Sequence, residues 1–197
     1  MLLRSGAGAA ILLAAAGPRA GVTQANLLDF FSGKKSYDPP VVMGDEAIMS
    51  QKGHGTAAAP VQQDLRWSCS PKIADEICNF NRHYAERGGY WERSTSFLRD
   101  EEQTDGEITF YDSNSGEPLF FAPRGRSYEQ FVRESKGHGW PSFRDDEVNW
   151  ERVRVLPDGE TVSIDGTHLG HNLPDRNGNR YCINLVSVAG KPKAGIK

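Results

Sequence analysis

The sequence is poor in cysteine and has no apolar run long enough to cross a membrane. Its 197 residues include three cysteines, an odd and small count that excludes a disulfide framework and leaves at least one thiol unpaired within the chain. The apolar stretch at residues 7–17 is well short of the roughly 20 residues that a spanning helix needs. The net charge of −3 gives no electrostatic reason to expect nucleic acid or a membrane surface as a partner. We therefore expect a globular protein with at least one unpaired thiol. We also expect it to be a monomer.

The first 22 residues have the composition of a targeting segment. Arg4 precedes the apolar stretch, and no acidic residue occurs before Asp29. Ala14 and Ala16 form the A-x-A context of a cleavage site. The pattern predicts a targeting segment at residues 1–22, which directs the chain either to the secretory route or to an organelle such as a plastid or mitochondrion.

Two further segments precede the region rich in strands. Residues 23–63 contain many Pro, Gly and Ala residues without a sustained period, which predicts a largely disordered linker. Residues 64–105 are predicted to be a helical extension, because Ser70 and Pro71 suit the start of a helix and Gly88 suits its end. An apolar stripe at helical spacing predicts that this helix is amphipathic, and its members are Ile73, Ile77, Phe80 and Tyr84.

From Gly106 onward the pattern is that of antiparallel strands. EITFYD and PLFFAP flank a turn at residues 113–116, and residues 149–156 and 160–165 flank the turn sequence Pro-Asp-Gly. Strand-like runs separated by such turn residues predict hairpins. The sequence therefore predicts a mainly β fold.

A short helix is expected outside this β core. Ser127 and Gln130 have the spacing of a capping box, which opens a helix. We assign residues 106–190 to one domain, with one to three flanking helices, and residues 191–197 to a tail.

The stretch THLGHNLPDRNGNRYCIN, residues 167–184, holds most of the candidate reactive groups. Its Asn-Gly pair predicts a two-residue type I′ hairpin turn between strands. Alternation along the second strand places Arg180, Cys182 and Asn184 on one face. The partner strand can bring His168 and His171 beside the thiol. A cysteine next to a cation and imidazoles is a plausible reactive thiol.

Three motifs in this region carry a resemblance to a known family. GWPSF at residues 139–143, HLGH at 168–171 and RYCIN at 180–184 follow one another in the order found in the methionine-R-sulfoxide reductases of the MsrB, or SelR, type. The resemblance covers residues 106–190. It implies a fold of two antiparallel sheets and an activity that reduces methionine-R-sulfoxide in proteins.

The resemblance also implies roles for individual residues. Cys182 would attack the sulfoxide and become a sulfenic acid, assisted by His168 and His171. A thioredoxin-like thiol reductant would restore it, and oxidised proteins or peptides would be the substrates. The implied substrate-binding residues are Trp140, Phe143, Asp175, Arg180 and Asn184.

Two departures from the family concern zinc and the recycling thiol. Most members hold a structural zinc with four cysteines, and the matching positions here are Asp112, Ser115, Val162 and Asp165. Valine cannot ligate and serine is a poor zinc ligand, so we expect a zinc-less variant without a cofactor. His138 stands where some relatives have a recycling cysteine. The candidates for a resolving thiol are therefore Cys69, which precedes the predicted helix, and Cys78 within it, with direct reduction of the sulfenic acid as the third possibility.

Two alternatives to the reductase remain open at this point. The spacing of Asp165, His168, His171 and Asp175 could hold a divalent metal, which would make the chain a metal-binding module on a β scaffold. The chain could also be a degenerate reductase that binds oxidised methionine without turnover.

Overall fold

The computed structural model describes residues 35–101 and 106–195. The predicted targeting segment at residues 1–22 lies outside the described residues, as does the first part of the predicted linker. No helix in the described part of the chain is long and apolar enough to cross a membrane.

In the described part of the chain seven strands form two antiparallel sheets, which confirms the predicted fold class. The first two strands make a hairpin of their own, and the other five form one sheet in the order β3-β7-β6-β5-β4. The last four strands in the sequence are consecutive neighbours in that sheet, joined by tight connections. The strands are β1 Ile108–Tyr111, β2 Pro118–Ala122, β3 Ser142–Phe143, β4 Val153–Val155, β5 Glu160–Ser163, β6 His168–Asn172 and β7 Tyr181–Ile183.

The helical segments are short and more numerous than predicted. Four are α-helical in the described residues, and only the last has more than two turns. Its capping box is formed as expected: the Ser127 side chain accepts from the Gln130 amide, and the Gln130 side chain accepts from the Ser127 amide. The α-helices are α1 Pro71–Asp75, α2 Tyr90–Arg93, α3 Phe97–Glu101 and α4 Tyr128–His138. Short 3₁₀ helices lie at Glu46–Met49, Arg66–Ser68, Asp145–Glu147 and Leu185–Ser187.

A cluster of aromatic rings fills the core between the hairpin, α4 and β3. Phe143 lies at its centre and is fully buried, with its ring centroid 4.4 Å from that of Phe120 and 4.9 Å from that of Phe110. Phe131 of α4 packs on the same ring. The prediction that Phe143 contacts substrate is therefore wrong. Side chains alternate along a strand, so Ser142, which is opposite Cys182 of β7, and Phe143 point to opposite faces of the sheet. Phe143 faces the core.

The long amphipathic helix predicted after Ser70 is also wrong. An α-helix ends at Asp75, a π-helical turn continues to Phe80, and the non-helical backbone of Asn81 (φ −142°, ψ 86°) ends the helix there. The wider turn rotates the later side chains relative to the earlier ones. Of the predicted apolar stripe only Ile77 is buried, and the exposed members are Ile73, Phe80 and Tyr84.

The predicted linker at residues 23–63 is packed against the sheet over the part that the structure describes. Met43 forms a parallel bridge to Val155 of β4, and the Val155 amide donates to the carbonyl of Val42. Gly44 donates back to the carbonyl of Val155. Residues 42–44 thus pair with the backbone groups of β4 that would otherwise form an open edge.

The connection between β6 and β7 differs from the predicted type I′ turn. Asp175 and Gly178 exchange both backbone hydrogen bonds, so Arg176 and Asn177 occupy the central positions. The Asn177 amide donates to the Asp175 side chain, and only Gly178 has a positive φ. The Asp175 carboxylate therefore organises this turn, one position earlier than the Asn-Gly pair suggests.

Candidate active site

Strand pairing brings the candidate nucleophile next to an imidazole. Cys182 on β7 is directly opposite His171 on β6 and opposite Ser142 on β3, while His171 is opposite Glu160 on β5. Side chains at directly opposed positions share one face of a sheet. Four strands thus contribute one polar row across the sheet.

Gly170 allows β6 and β7 to approach closely at this row. Its φ is 156°, and a Cβ atom added there would lie 2.1 Å from the carbonyl oxygen of Cys182. Any side chain at this position would push the two strands apart at the thiol. The glycine of HLGH is therefore required by the backbone geometry of the site.

The polar row opens into a small pocket of about 250 Å³. Five of the residues predicted to form the site lie on its wall, and the lining comprises His83, Tyr84, Ala85, Trp140, His168, Gly170, His171, Leu173, Cys182 and Asn184. Sequence reasoning assigned no role in the site to His83, Tyr84, Ala85 or Leu173. The first three belong to the segment that the helix prediction misplaced.

The Cys182 thiol is partly buried beside the Arg180 guanidinium. Burial raises the pKa of the Cys182 thiol, and the positive charge of Arg180 opposes that increase. Arg180 is itself buried, and its Nη1 has no hydrogen-bond partner among the described residues. A buried donor without a partner is costly, so this nitrogen is available to an anionic sulfur or oxygen at Cys182.

Asp175 pairs with two arginines, Arg144 and Arg180. It lies outside the pocket lining, with its Oδ2 3.5 Å from Arg180 Nε and 2.9 Å from Arg144 Nη2. Hydrogen bonds from Arg144 hold the pKa of Asp175 down at about 2. Asp175 thus forms an ion pair with Arg180, and its contact with substrate stays a prediction.

His168 is hydrogen-bonded to Glu160, which in turn pairs with Arg82; the motifs did not reveal either contact. Its Nδ1 lies 2.7 Å from Oε1 of Glu160, and Arg82 Nη2 lies 2.5 Å from the second oxygen, Oε2. Burial alone would raise the pKa of Glu160, but the hydrogen bonds from His168 and Arg82 bring it below the usual value. An ionised Glu160 fixes the ring orientation and leaves Nε2 as the free nitrogen of His168.

His171 is the imidazole nearest to the nucleophile along the sheet. Its ring centroid is 5.6 Å from that of His168, in an edge-on arrangement. Burial and the neighbouring His168 lower the pKa of His171, so this ring is mostly neutral at pH 7. A neutral imidazole can accept a proton from a thiol.

A buried carboxylate, Glu86, connects the pocket wall to the end of β7. Its side-chain oxygens accept from the amides of Leu185 and Val186 at 3.0 and 3.1 Å, which are unpaired donors at the start of a 3₁₀ helix. The carbonyl of Glu86 accepts from the Trp140 indole, and its amide donates to Asn184 Oδ1. Burial raises the pKa of Glu86 to about 7. Glu86 is far in sequence from all three motifs, so sequence reasoning had no ground to place it at the site.

Asn184 is committed to these structural hydrogen bonds. Its Oδ1 accepts from Glu86, and its Nδ2 donates to the carbonyl of Leu169 at 3.1 Å. The Asn184 side chain therefore links the backbone at Glu86 to the backbone of β6. The side chain lines the pocket, but its polar atoms hold the wall in place.

Both candidate resolving cysteines lie in the hydrophobic core and not in the pocket lining. Cys78 is fully buried, with its thiol 3.4 Å from the hydroxyl of Ser187, and Cys69 is 5% exposed. Burial raises the pKa of each thiol strongly. A thiol that stays protonated and shielded is a poor nucleophile, so the structure gives no support to Cys69 or Cys78 as the resolving thiol.

The alternative metal site does not form in the described part of the chain. The four residues Asp165, His168, His171 and Asp175 do not converge, since Glu160 binds His168 and Arg144 binds Asp175. The only convergent group among the described residues is Glu134, His138 and Asp175. Arg144 pairs with both of its carboxylates, so their charge is already compensated.

The positions that match the family's zinc ligands are occupied by a hydrogen-bonded cluster. Asp112 is fully buried, and its carboxylate accepts from the Thr167 hydroxyl at 2.9 Å and from the Asn114 amide at 2.8 Å. Val162 is buried and apolar. These residues do not fit a tetrahedral zinc ion, and the Asp112–Thr167 bond joins the two loops that the metal would join.

The two antiparallel sheets, with a cysteine and two histidines on adjacent strands at a pocket, define an MsrB-like fold. Over 74 residues the chain is 39% identical to each of two curated relatives, both named peptide methionine sulfoxide reductase MsrB, from Methanosarcina mazei and Methanosarcina barkeri. The matched stretch is 30% of this chain and 52% and 51% of the relatives, so the chain spans about half the length of the curated relatives it matches. No family model matches the chain. The protein is thus related to the MsrB family.

Proposed function

We propose that this protein reduces the R epimer of methionine sulfoxide in proteins to methionine, with Cys182 as the nucleophile. The observation that carries the proposal is the direct pairing of Cys182 with His171 across β6 and β7, on the wall of a pocket that also contains Trp140. The names of the two relatives support the same reaction.

In the proposed reaction the Cys182 sulfur attacks the sulfoxide sulfur. The sulfur–oxygen bond of the substrate then breaks as the protonated oxygen adds to the Cys182 sulfur. The transient bond between the two sulfur atoms breaks with its electron pair going to the methionine sulfur, which leaves methionine and a sulfenic acid on Cys182. The methionine sulfur gains two electrons and the Cys182 sulfur loses two, so no other redox partner is needed for this half of the cycle. Arg180 Nη1 stabilises the thiolate before the attack.

His171 carries the proton in this scheme. Its neutral ring takes the proton from the Cys182 thiol and then delivers it to the sulfoxide oxygen as the sulfur–oxygen bond breaks. Such acid–base assistance is typically worth about 10²–10⁴-fold in rate. Glu160 orients the His168 ring, which packs edge-on against the His171 ring and keeps His171 in position. Trp140 supplies an apolar, polarisable wall for the methyl group of the substrate.

An external thiol, such as a thioredoxin-like protein, reduces the sulfenic acid directly. The first thiol condenses with the sulfenic acid to give a mixed disulfide and water, and the second thiol of the reductant releases Cys182. This route fits the burial of Cys69 and Cys78, because neither needs to leave the core.

A stereospecific assay tests the proposed function. With dithiothreitol as reductant, a peptide containing methionine-R-sulfoxide should be reduced over many turnovers, and its S epimer should not be. Chromatographic separation of the reduced peptide measures both. Stoichiometric binding of the R peptide without turnover would favour the binding module instead, and equal reduction of both epimers would contradict the assigned chemistry.

We further propose that the fold is stable without zinc. The purified protein should contain less than about a tenth of an equivalent of zinc by elemental analysis, because Val162 and the bonded Asp112 cannot replace thiolate ligands. Its melting temperature should be the same with and without EDTA. One tightly bound zinc per chain, or a melting temperature that falls in EDTA, would contradict this.

A further inference from the structure

Two large apolar side chains at the pocket are exposed. Tyr84 is 56% exposed and Leu173 is 47% exposed, and both belong to the pocket lining. Exposed apolar area that a ligand covers contributes roughly 25 cal/mol per Å² to binding. We call Tyr84 and Leu173 the apolar rim.

The apolar rim is held by its backbone. The Leu173 amide donates to the carbonyl of Arg180 at 2.8 Å, directly after β6. The Tyr84 amide donates to the carbonyl of Asn81, and two residues later Glu86 is bonded to Asn184. The two rim residues therefore come from separate, anchored segments and present a preformed apolar surface.

The charge of the lining is the second observation. Among the described residues that line the pocket there is no Lys, Arg, Asp or Glu. The α-ammonium and α-carboxylate of a free amino acid would find no ion pair at the apolar rim and would lose hydration against it. An uncharged peptide backbone with apolar side chains matches this surface.

We propose that the apolar rim selects polypeptide substrates in which an apolar side chain is adjacent to the oxidised methionine. The inference rests on the proposed function, since it places the oxidised methionine in the pocket of Cys182. The polar row acts on the sulfoxide, while Tyr84 and Leu173 contact the neighbouring residue of the substrate.

Blocked tripeptides test this inference. The values of kcat/KM are compared for acetyl-Leu-Met(R-sulfoxide)-Leu-amide and its serine counterpart. Covering part of a leucine side chain should favour the leucine peptide by about tenfold, which corresponds to about 1.4 kcal/mol. In the double variant Tyr84→Ser, Leu173→Ser this ratio should fall below about threefold, because the apolar surface is removed. Phe80→Ser is the matched control, since Phe80 is 59% exposed and lies outside the pocket lining, and it should keep the wild-type ratio.

A ratio close to one in the wild type, or one that the double variant retains, would overturn the role of the apolar rim while leaving the reductase proposal intact. If the wild type reduces neither peptide, the proposed function fails. The same two peptides are then compared by calorimetric titration with the wild-type protein. A leucine peptide that binds about tenfold more tightly still supports the rim, and equal dissociation constants reject it.

Discussion

Substituting Cys182 by serine should abolish the reduction of methionine-R-sulfoxide while leaving the fold intact. A serine hydroxyl does not attack the sulfoxide sulfur and cannot become a sulfenic acid, so the rate should fall by at least about a thousandfold. Cys182 is only partly buried and the hydroxyl is smaller than the thiol, so packing changes little. The measurement is turnover of the R peptide with dithiothreitol, with circular dichroism as the check on folding.

The other two cysteines provide matched controls. Cys69→Ala and Cys78→Ala should each retain turnover both with dithiothreitol and with a thioredoxin system. Each removes a sulfur atom from the core, so a loss of stability of about 1 kcal/mol is expected. A variant that works with dithiothreitol but not with thioredoxin would identify its missing cysteine as the resolving thiol and contradict direct reduction.

Replacing Glu86 by glutamine should change how stability depends on pH. The pKa of Glu86 rises from its usual value of 4.5 in the unfolded chain to about 7 in the folded protein. Between these two values the folded state retains a proton that the unfolded chain has lost. The contribution is fully present below pH 4.5 and is lost as the pH rises through 7. From pH 5 to pH 8 it should lower the free energy of unfolding by about 2.5 kcal/mol.

Urea unfolding of the two proteins at pH 5 and pH 8 measures this effect as a difference. The lowered pKa of His171 acts in the opposite direction, and the raised pKa of buried Asp112 acts in the same direction. Both residues are present in the wild type and in Glu86→Gln, so their contributions cancel. The exposed Glu76 provides the control Glu76→Gln, which should follow the wild type. Parallel pH profiles for wild type and Glu86→Gln would show that Glu86 does not retain its proton in the folded state.

The parts of the fold that the sequence predicted are those governed by local pattern. Alternation and turn residues marked the hairpins, and the Ser127–Gln130 box marked the start of α4. The thiol and both histidines were found because adjacent strands of one hairpin carry them. Pattern over a short window is sufficient where neighbours in sequence are also neighbours in the sheet.

The errors arose where distant segments meet. Glu160 reaches His168 from outside the motif and is itself held by Arg82, 78 residues earlier in the chain. Glu86 reaches the end of β7 from 99 residues earlier. The helix prediction failed at the π-helical turn, because an extra residue per turn changes the face that later side chains present. Phe143 was misassigned since membership of a motif does not reveal on which side of a strand a residue lies.

Segments within residues 35–101 pack against the sheet. The smallest part of the chain that we expect to fold alone is therefore longer than the strand-rich region. A truncated chain that starts at Gly106, the boundary suggested by the strand pattern, would lack Arg82, Tyr84 and Glu86. It would uncover the edge of β4 that residues 42–44 now complete. In the predicted tail, the backbone amide of Lys193 donates to the carbonyl of Gly116, which holds this part of the chain against the turn between β1 and β2. Shortened versions for crystallisation or domain fusion should therefore retain Lys35, whose amide donates to the carbonyl of Pro157 at 2.7 Å.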